Sequence, residues 1–453
     1  MKLIKFCGKG ICGYLNHTID FRDSVTFLIG VNGSGKTSVL KLIKGLTQPS
    51  YSILESIEYS SIQLDLINDG ISYTLTSVKT KEEISITINH DNRDIQTNTL
   101  NRVKPDERGV IASEDMEKYS DRFDHLLACR EIKELLTPLF IGIDRMPESD
   151  VFRYIHNSRR LYYLSENRST SLVDRSLFAI QEMVFDIYRK NASKQKKLSE
   201  EFRTSILTEA LGSITSNVAL PTSLSNIEQE IKDYESRRCH FLQALQNAGI
   251  EEAEKLTDGF FNRQREMLDI LNAKVKVDEN RRIQALMSMF YSRTQMDKID
   301  SIISHEKRYE ENVNKLNEQS NRFVDCVNLF FKQTEKEIKI MDNGLIKVLT
   351  AYLTEDGRRK THSDEIYSLS SGEKQVVALI GLLIFTSSSV RPEVLIIDEP
   401  ELSLHLTWQE IFVDAILKSQ PNFQFILATH SPTIIAKRER RSWCEDLSKT
   451  MAH

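Results

Sequence analysis

An apolar, β-branched run that leads straight into a glycine-rich octapeptide constrains this chain more than any other feature. Residues 24–29 read SVTFLI and residues 30–37 read GVNGSGKT, a GxxxxGKT pattern. The run predicts a short buried strand, and TSVLKLIKGL after the loop predicts a helix. Glycines let the backbone curl so that successive N–H groups face one anion. The helix adds the positive end of its dipole at the same point. In this pattern Lys36 can reach β- and γ-phosphate oxygens, and the Thr37 hydroxyl can ligate Mg²⁺. The candidate cradle is Gly30, Asn32, Gly33, Ser34, Gly35, Lys36, Thr37 and Ser38.

Three later motifs bear on the same chemistry. EVLIIDEP (393–400) is a continuous apolar run of the buried parallel type. It delivers Asp398 at a strand's carboxyl end, where ligands of parallel sheets bind. Asp398 is a candidate for holding Mg²⁺ through water, and Glu399 for polarising an attacking water. Leu369 to Gln375 (LSSGEKQ) puts Ser370, Ser371, Gly372 and Glu373 at a predicted helix start, a place suited to a second phosphate contact. FQFILATHS (423–431) predicts another buried strand, ending at His430. A neutral imidazole there can donate to a phosphate or to the attacking water.

Texture divides the 453 residues into three zones, 1–149, 150–343 and 344–453. In the first, SIEYSSIQLDLI (56–67), ISYTLTSV (71–78) and EEISITIN (82–89) alternate like half-exposed antiparallel strands. Asn68-Asp69-Gly70 offers a hairpin turn between two of them, and PLFIGIDR (138–145) predicts a further strand. The middle zone is helical, with alternating charge and few Pro or Gly. Within it Ile299, Ile302, Glu306, Tyr309, Val313, Leu316, Ser320, Phe323, Val327 and Phe330 advance by threes and fours, broken only by Glu306 and Ser320. That step suits a coiled-coil seam; a bundle closed on itself, an extended hairpin and an intermolecular coil all satisfy it. GSITSNVALPTSLSN (212–226) predicts a loop. The third zone returns to βα texture, with helices predicted at 371–387 and 405–418.

Net charge is −5, which excludes a global polycation and leaves a local basic surface open. Arg159-Arg160 and KNASKQKK (190–197) are basic clusters in a zone otherwise near charge balance. The N-terminus lacks the unbroken apolar run of a signal peptide, and no window has the length that spans a bilayer. Six scattered cysteines without a CxxC pair fit reduced thiols better than zinc. The expectation is a soluble, cytoplasmic protein without membrane contact.

Taken in order, the motifs resemble the ABC ATPase family: Walker A at 30–37, signature LSSGEK at 369–374, Walker B LIIDE at 395–399 and switch histidine His430. Leu402 to His405 resembles the D-loop. The signature departs from LSGGQ at Ser371 and Glu373, as in SMC-like and AAA-labelled branches. For the Q-loop, Gln63 and the IDRMPES stretch near Arg145 are both candidates. The resemblance covers roughly 1–149 and 344–436. It implies an α/β head with a mixed sheet, interrupted by a long helical or coiled-coil insertion. It also implies ATP and Mg²⁺ as cofactors, hydrolysis of ATP to ADP and phosphate, and at least a head-to-head dimer. In such a dimer the signature of one subunit closes over ATP on the Walker A of the other.

The separation of Thr37 from Leu369 (332 residues) and its helical filling follow the SMC-like plan. DEPELSLH, LSSGEKQ and ATHSP resemble the ATPases of bacterial antiphage defence. The overcoming-lysogenization branch carries a TOPRIM nuclease after the switch histidine, where this chain has 23 residues. The layout is most similar to the PtuA family of the Septu system, whose companion is an HNH nuclease. The AriA family of the PARIS system, with a TOPRIM effector, is the alternative. A DNA-binding, SMC-like repair ATPase also stays open.

Overall fold

A computed structural model describes residues 1–90, 95–103, 113–135, 138–141, 172–211, 227–272, 278–353, 358–385, 393–402 and 404–448. The chain divides into two compact units, residues 1–185 with 319–453, and residues 186–318.

Alternating burial builds the first sheet. Strands β1 (Lys2–Ile11), β2 (Leu15–Asp20), β4 (Ser61–Asn68), β5 (Ile71–Lys79), β6 (Glu83–His90) and β7 (Gln96–Asn101) form an antiparallel sheet in the order β2-β1-β4-β5-β6-β7. The Asn68-Asp69-Gly70 turn lies between β4 and β5, with φ of 50° at Asp69 and 80° at Gly70. The strand expected from residue 56 begins only at 61. Tyr51–Ser56 is instead a short helix, α2. Buried Lys79 Nζ donates to the carbonyls of Leu54, Glu55 and Ile57 there, satisfying acceptors that a helix end leaves open.

The second sheet is parallel and ends in the glycine loop, the Asp398-Glu399 pair and the turn that carries His430. Its order is β14-β3-β13-β12-β8, from β3 (Val25–Ile29), β8 (Leu139–Ile141), β12 (Val394–Asp398), β13 (Gln424–Ala428) and β14 (Cys444–Asp446). Strand β13 is buried along its whole length, as a strand covered on both faces must be. Helix α1 (Lys36–Thr47) lies against strands of both sheets. Helices α3 (Ser113–Asp124) and α4 (Leu127–Glu134) belong to the same unit. So does a three-stranded antiparallel sheet, β11-β10-β9, from β9 (Lys336–Ile340), β10 (Ile346–Leu353) and β11 (Arg359–Glu365). This is the expected α/β head with mixed sheets and a long helical insertion.

The insertion is built from α5 (Leu172–Leu211), α6 (Ile227–Asn247), α7 (Ala253–Asn272) and α8 (Glu279–Phe331). Helices α9 (Ser371–Phe385) and α10 (Leu406–Ser419) follow in the head. Part of the heptad stripe is spent inside the second unit. Ile302 joins Phe202, Ile206, Ala244 and Ala248 in one cluster, and Ile299 joins Tyr234 and Phe261 in another. In the first unit Phe323 meets Phe385, and Phe330 meets Trp408 edge-on. Packing within one chain therefore accounts for these described stripe positions, among insertion helices for Ile299 and Ile302 and against head helices for Phe323 and Phe330. IDRMPES, Arg159-Arg160, the 212–226 loop and Ser403 lie outside the described residues. Among the described residues no helix is long and apolar enough to cross a membrane.

The break at Glu306 has a physical counterpart. Its side chain is buried and accepts from Asn247 Nδ2 at 3.1 Å, while Glu310 accepts from Gln243 Nε2 at 2.6 Å. Burial, reinforced by Glu310, pushes the Glu306 carboxyl up to about 7. A carboxyl raised on folding stabilises most below its unfolded value of about 4.5. That contribution is lost as pH climbs to about 7, because the unfolded chain ionises first. Glu306→Gln is expected to flatten the decline of the urea midpoint between pH 4.5 and 7; an unaltered slope would show that Glu306 ionises freely.

Candidate functional site

Three neighbouring parallel strands bring the motif ends together. Leu28 pairs with Ala428, and Ala428 pairs with Asp398, so β3, β13 and β12 finish level. Thr429 N–H donates to Leu28 O at 3.1 Å, and Glu399 N–H donates to Ala428 O at 2.8 Å. The glycine loop, the Asp398-Glu399 pair and His430 thus leave the sheet side by side.

The loop itself is shaped by glycine backbone. Gly33 and Gly35 have φ of 84° and 86°, a region costly for L side chains. A Cβ on Gly35 would also come within 2.9 Å of Leu15 Cδ1. Beneath it, buried His17 donates from Nε2 to Ser34 O at 2.9 Å. Burial lowers the His17 pKa despite that bond, which favours the neutral ring. From the other side, Val31 N–H donates to Ser448 Oγ at 3.1 Å. Asn32 and Gly33 are exposed, and Ser34 is buried. Ser38 Oγ lies 3.4 Å from Cys12 Sγ.

Lys36 Nζ folds back to donate to Gly30 O at 2.9 Å and Val31 O at 3.3 Å, with His430 Nδ1 at 3.5 Å. Burial lowers its pKa, and Glu399, Asp398 and Glu401 pull the other way. Asp398 is raised by burial, against the Thr37 hydroxyl and Lys36, which both favour the carboxylate. Its Oδ1 is buried and has no hydrogen-bond partner among the described residues. A buried carboxylate with an orphaned oxygen beside a hydroxyl suits a hard cation, so Thr37 and Asp398 fit Mg²⁺.

Glu399 has φ of 51°, sparsely populated for a non-glycine residue and typical of functional turns. Its Oε1 lies 3.7 Å from His430 Nε2. A proton acceptor and an imidazole therefore face one another across the end of β13, with Lys36 on the second ring nitrogen.

The signature residues make contacts of their own. Glu373 is buried, and its carboxylate accepts from Lys336 Nζ at 2.8 Å and from Ser370 N and Oγ at 2.9 and 2.8 Å. Burial pushes its carboxyl up, but these donors together outweigh it and hold it below its ordinary value. Glu373 thus closes the start of α9 in the manner of a capping box. Ser371 is exposed and Gly372 half-buried. Among the described residues no hydrogen bond or ion pair joins Ser370 to Glu373 with the glycine loop. Of the Q-loop candidates, Gln63 donates to Asp65 within the antiparallel sheet.

Sequence reasoning missed His17, Ser448, Glu401 and Gln409. The first two are far from the motifs in sequence and meet the loop only through the fold. Glu401 is visible in DEPE, but no spacing separates it from its neighbours. Arg440 was missed as well. It is fully buried and donates to Ile434 O at 2.7 Å and Asp414 Oδ1 at 2.8 Å, tying the segment after His430 to α10. Arg440→Ala is expected to cost about 3 kcal/mol, read as a lower urea midpoint at unchanged slope. A shift near zero would show that the buried guanidinium is dispensable.

The chain also has likenesses among known proteins. A family model described as "AAA domain, putative AbiEii toxin, Type IV TA system" matches residues 25–436. The chain is 27% identical over 221 residues to the "Retron Vc95 probable ATPase" of Vibrio cholerae serotype O1 biovar El Tor, covering 46% of this chain and 42% of that protein. It is 37% identical over 78 residues to the "Retron Ec83 probable ATPase" of Escherichia coli, covering 15% and 14%. The alignments thus span less than half the length of these curated relatives. Among solved structures, an Smc head domain with an extended coiled coil from Pyrococcus furiosus aligns over 96% of this chain and 91% of that one, at 14% identity and a TM-score of 0.33.

Proposed function

The chain belongs to this AAA-domain family of ATPases, and from that premise we propose that it binds Mg²⁺-ATP at the glycine loop and hydrolyses it to control a partner nuclease in antiphage defence. The observation that carries the ATP reading is the convergence of Lys36, Asp398, Glu399 and His430 at the ends of adjacent parallel strands. Backbone N–H groups of Gly33 to Ser38, with Lys36, hold the phosphates. Thr37 and Asp398 would hold Mg²⁺, which would neutralise phosphate charge. Glu399 orients water and accepts its proton, and His430 donates toward the γ-phosphate.

Glu399 and His430 complete only one wall of such a site. Exposed Ser371 and half-buried Gly372 are suited to serve the loop of a second subunit. The functional unit is then at least a head-to-head dimer with two composite sites, in which ATP acts as interfacial glue. Glu373 is turned inward, so its part is to present Ser370 and Ser371 rather than to touch nucleotide.

The motif wording and the retron-named relatives support a defence setting in the cytoplasm, and the motif wording favours an HNH partner over a TOPRIM effector. Affinity purification of the full chain from its native host tests this. Recovery of an HNH protein supports the Septu-like reading, a TOPRIM protein the PARIS-like one, and neither overturns the nuclease link. A second reading, an SMC-like DNA-binding ATPase, draws on exposed Lys190, Lys194 and Lys197, which follow i, i+4, i+7 on one face of α5. Salt-dependent binding of duplex DNA that these lysines govern would favour it.

A further inference from the structure

We infer that Glu401 is the positioning residue of the switch histidine, resting on the ATPase reading of the site. It lies two residues beyond Glu399, outside every residue role assigned above. Its carboxylate gathers donors from three consecutive residues of the turn after β13. Oε2 accepts from Thr429 Oγ1 at 2.8 Å, and Oε1 accepts from His430 N–H at 2.5 Å and Ser431 N–H at 3.1 Å. A carboxylate satisfied this way fixes backbone direction, because charge-assisted bonds to N–H groups are short and strong.

Gln409 braces the same turn from α10. Its Oε1 accepts from Ser431 Oγ at 2.6 Å, and its Nε2 donates to Leu404 O at 3.0 Å. Leu404 N–H in turn donates to Glu401 O at 3.0 Å. Thr429 and Ser431 are both buried, so the two residues flanking His430 are locked while its ring stays free to face Glu399 and Lys36. Glu401 also raises the Lys36 ammonium's tendency to stay charged, but its main contacts are with the turn. The segment after Walker B and the switch segment thereby move as one piece. An arrangement that reoriented Leu404 would carry the His430 ring with it.

The position of the imidazole matters because a misplacement of about 1 Å in a catalytic group costs about 100-fold in rate. Three variants of the full chain test the assignment: Glu401→Ala, Glu401→Gln and, as a control on the exposed face of α10, Glu410→Ala. Two readouts are taken with ATP, its Kd and kcat. A third needs no hydrolysis: the ring ¹H–¹⁵N signal of His430 in nucleotide-free protein, identified by its loss in His430→Gln.

Glu401→Ala is expected to move the ring signal and lower kcat about 100-fold while ATP affinity stays at the wild-type level. Glu401→Gln keeps an acceptor oxygen for the His430 and Ser431 N–H groups and is expected to restore most of kcat. Glu410→Ala is expected to match wild type in all three. An unmoved ring signal, or wild-type kcat in Glu401→Ala, overturns the inference. If the alanine variant does not fold, Thr429→Val removes one donor, and an unmoved signal there overturns it equally. Wild-type protein that binds ATP without hydrolysing it would remove the ATPase reading instead, and the ring signal would still decide the role of Glu401.

Discussion

Lys36→Ala is expected to raise the Kd for ATP about 100-fold, equivalent to about 2.7 kcal/mol, and to abolish biological activity. The ammonium donates to two loop carbonyls, Gly30 O and Val31 O, and lies beside the His430 ring. Those loop carbonyls are weak partners for a charge, and a phosphate oxygen is a far stronger acceptor. Burial lowers the lysine pKa, so the anion gains a partly desolvated cation that water does not screen. Titration of a fluorescent ATP analogue reads the affinity. Thermal unfolding without nucleotide reads folding separately, since the alanine variant also loses the two carbonyl contacts. Unchanged affinity in a folded variant would remove the phosphate-loop assignment.

Glu399→Gln is expected to lower kcat by about 10²–10⁴ with little change in ATP affinity. The amide keeps the size of the carboxylate but cannot take a proton from water. Its left-handed backbone is held by the Glu399 N–H bond to Ala428 O and by Leu402 N–H on Glu399 O, and both survive the substitution. With hydrolysis slowed, ATP should hold two heads together, so size-exclusion chromatography with Mg²⁺-ATP is expected to show a dimer that wild type passes through. Wild-type turnover would take the proton-accepting role away from Glu399. Slow turnover without a dimer would leave that role intact and remove the composite site. The ring–carboxylate distance of 3.7 Å to His430 bears on the first outcome alone, because it lies within one chain.

Much of the parallel sheet was legible because buried parallel strands are nearly unbroken apolar runs. SVTFLI (24–29) matches its strand to within one residue, whereas EVLIIDEP (393–400) and FQFILATHS (423–431) contain strands that stop earlier, at Asp398 and Ala428. The glycine loop was legible because few backbones other than a phosphate cradle need glycine at that spacing. By contrast, SIEYS at 56–60 alternates like a strand, yet Ser56 ends a helix and β4 begins only at Ser61. Lys79, from β5, supplies donors to the carbonyls at this helix end. Local pattern carries no trace of a partner over 20 residues away. The heptad stripe was similarly ambiguous. Its spacing fits a seam between any two helices, and only the clusters around Phe202 and Phe261 identify helices of the same chain.

By itself the sequence determined the chemical inventory: a phosphate loop, a carboxylate pair and a histidine, each at the end of a predicted strand. These are short-range facts, set by residue type and by spacing within single segments. The tertiary structure alone decided how the inventory is arranged. It levels β3, β13 and β12 so that Lys36, Glu399 and His430 meet. It leaves Asp398 Oδ1 buried without a partner and turns Glu373 inward onto Lys336. It sets His17 under the loop and Glu401 under the switch histidine. Those outcomes depend on hydrogen bonds between segments remote in sequence, and such bonds are chosen by packing rather than by local pattern.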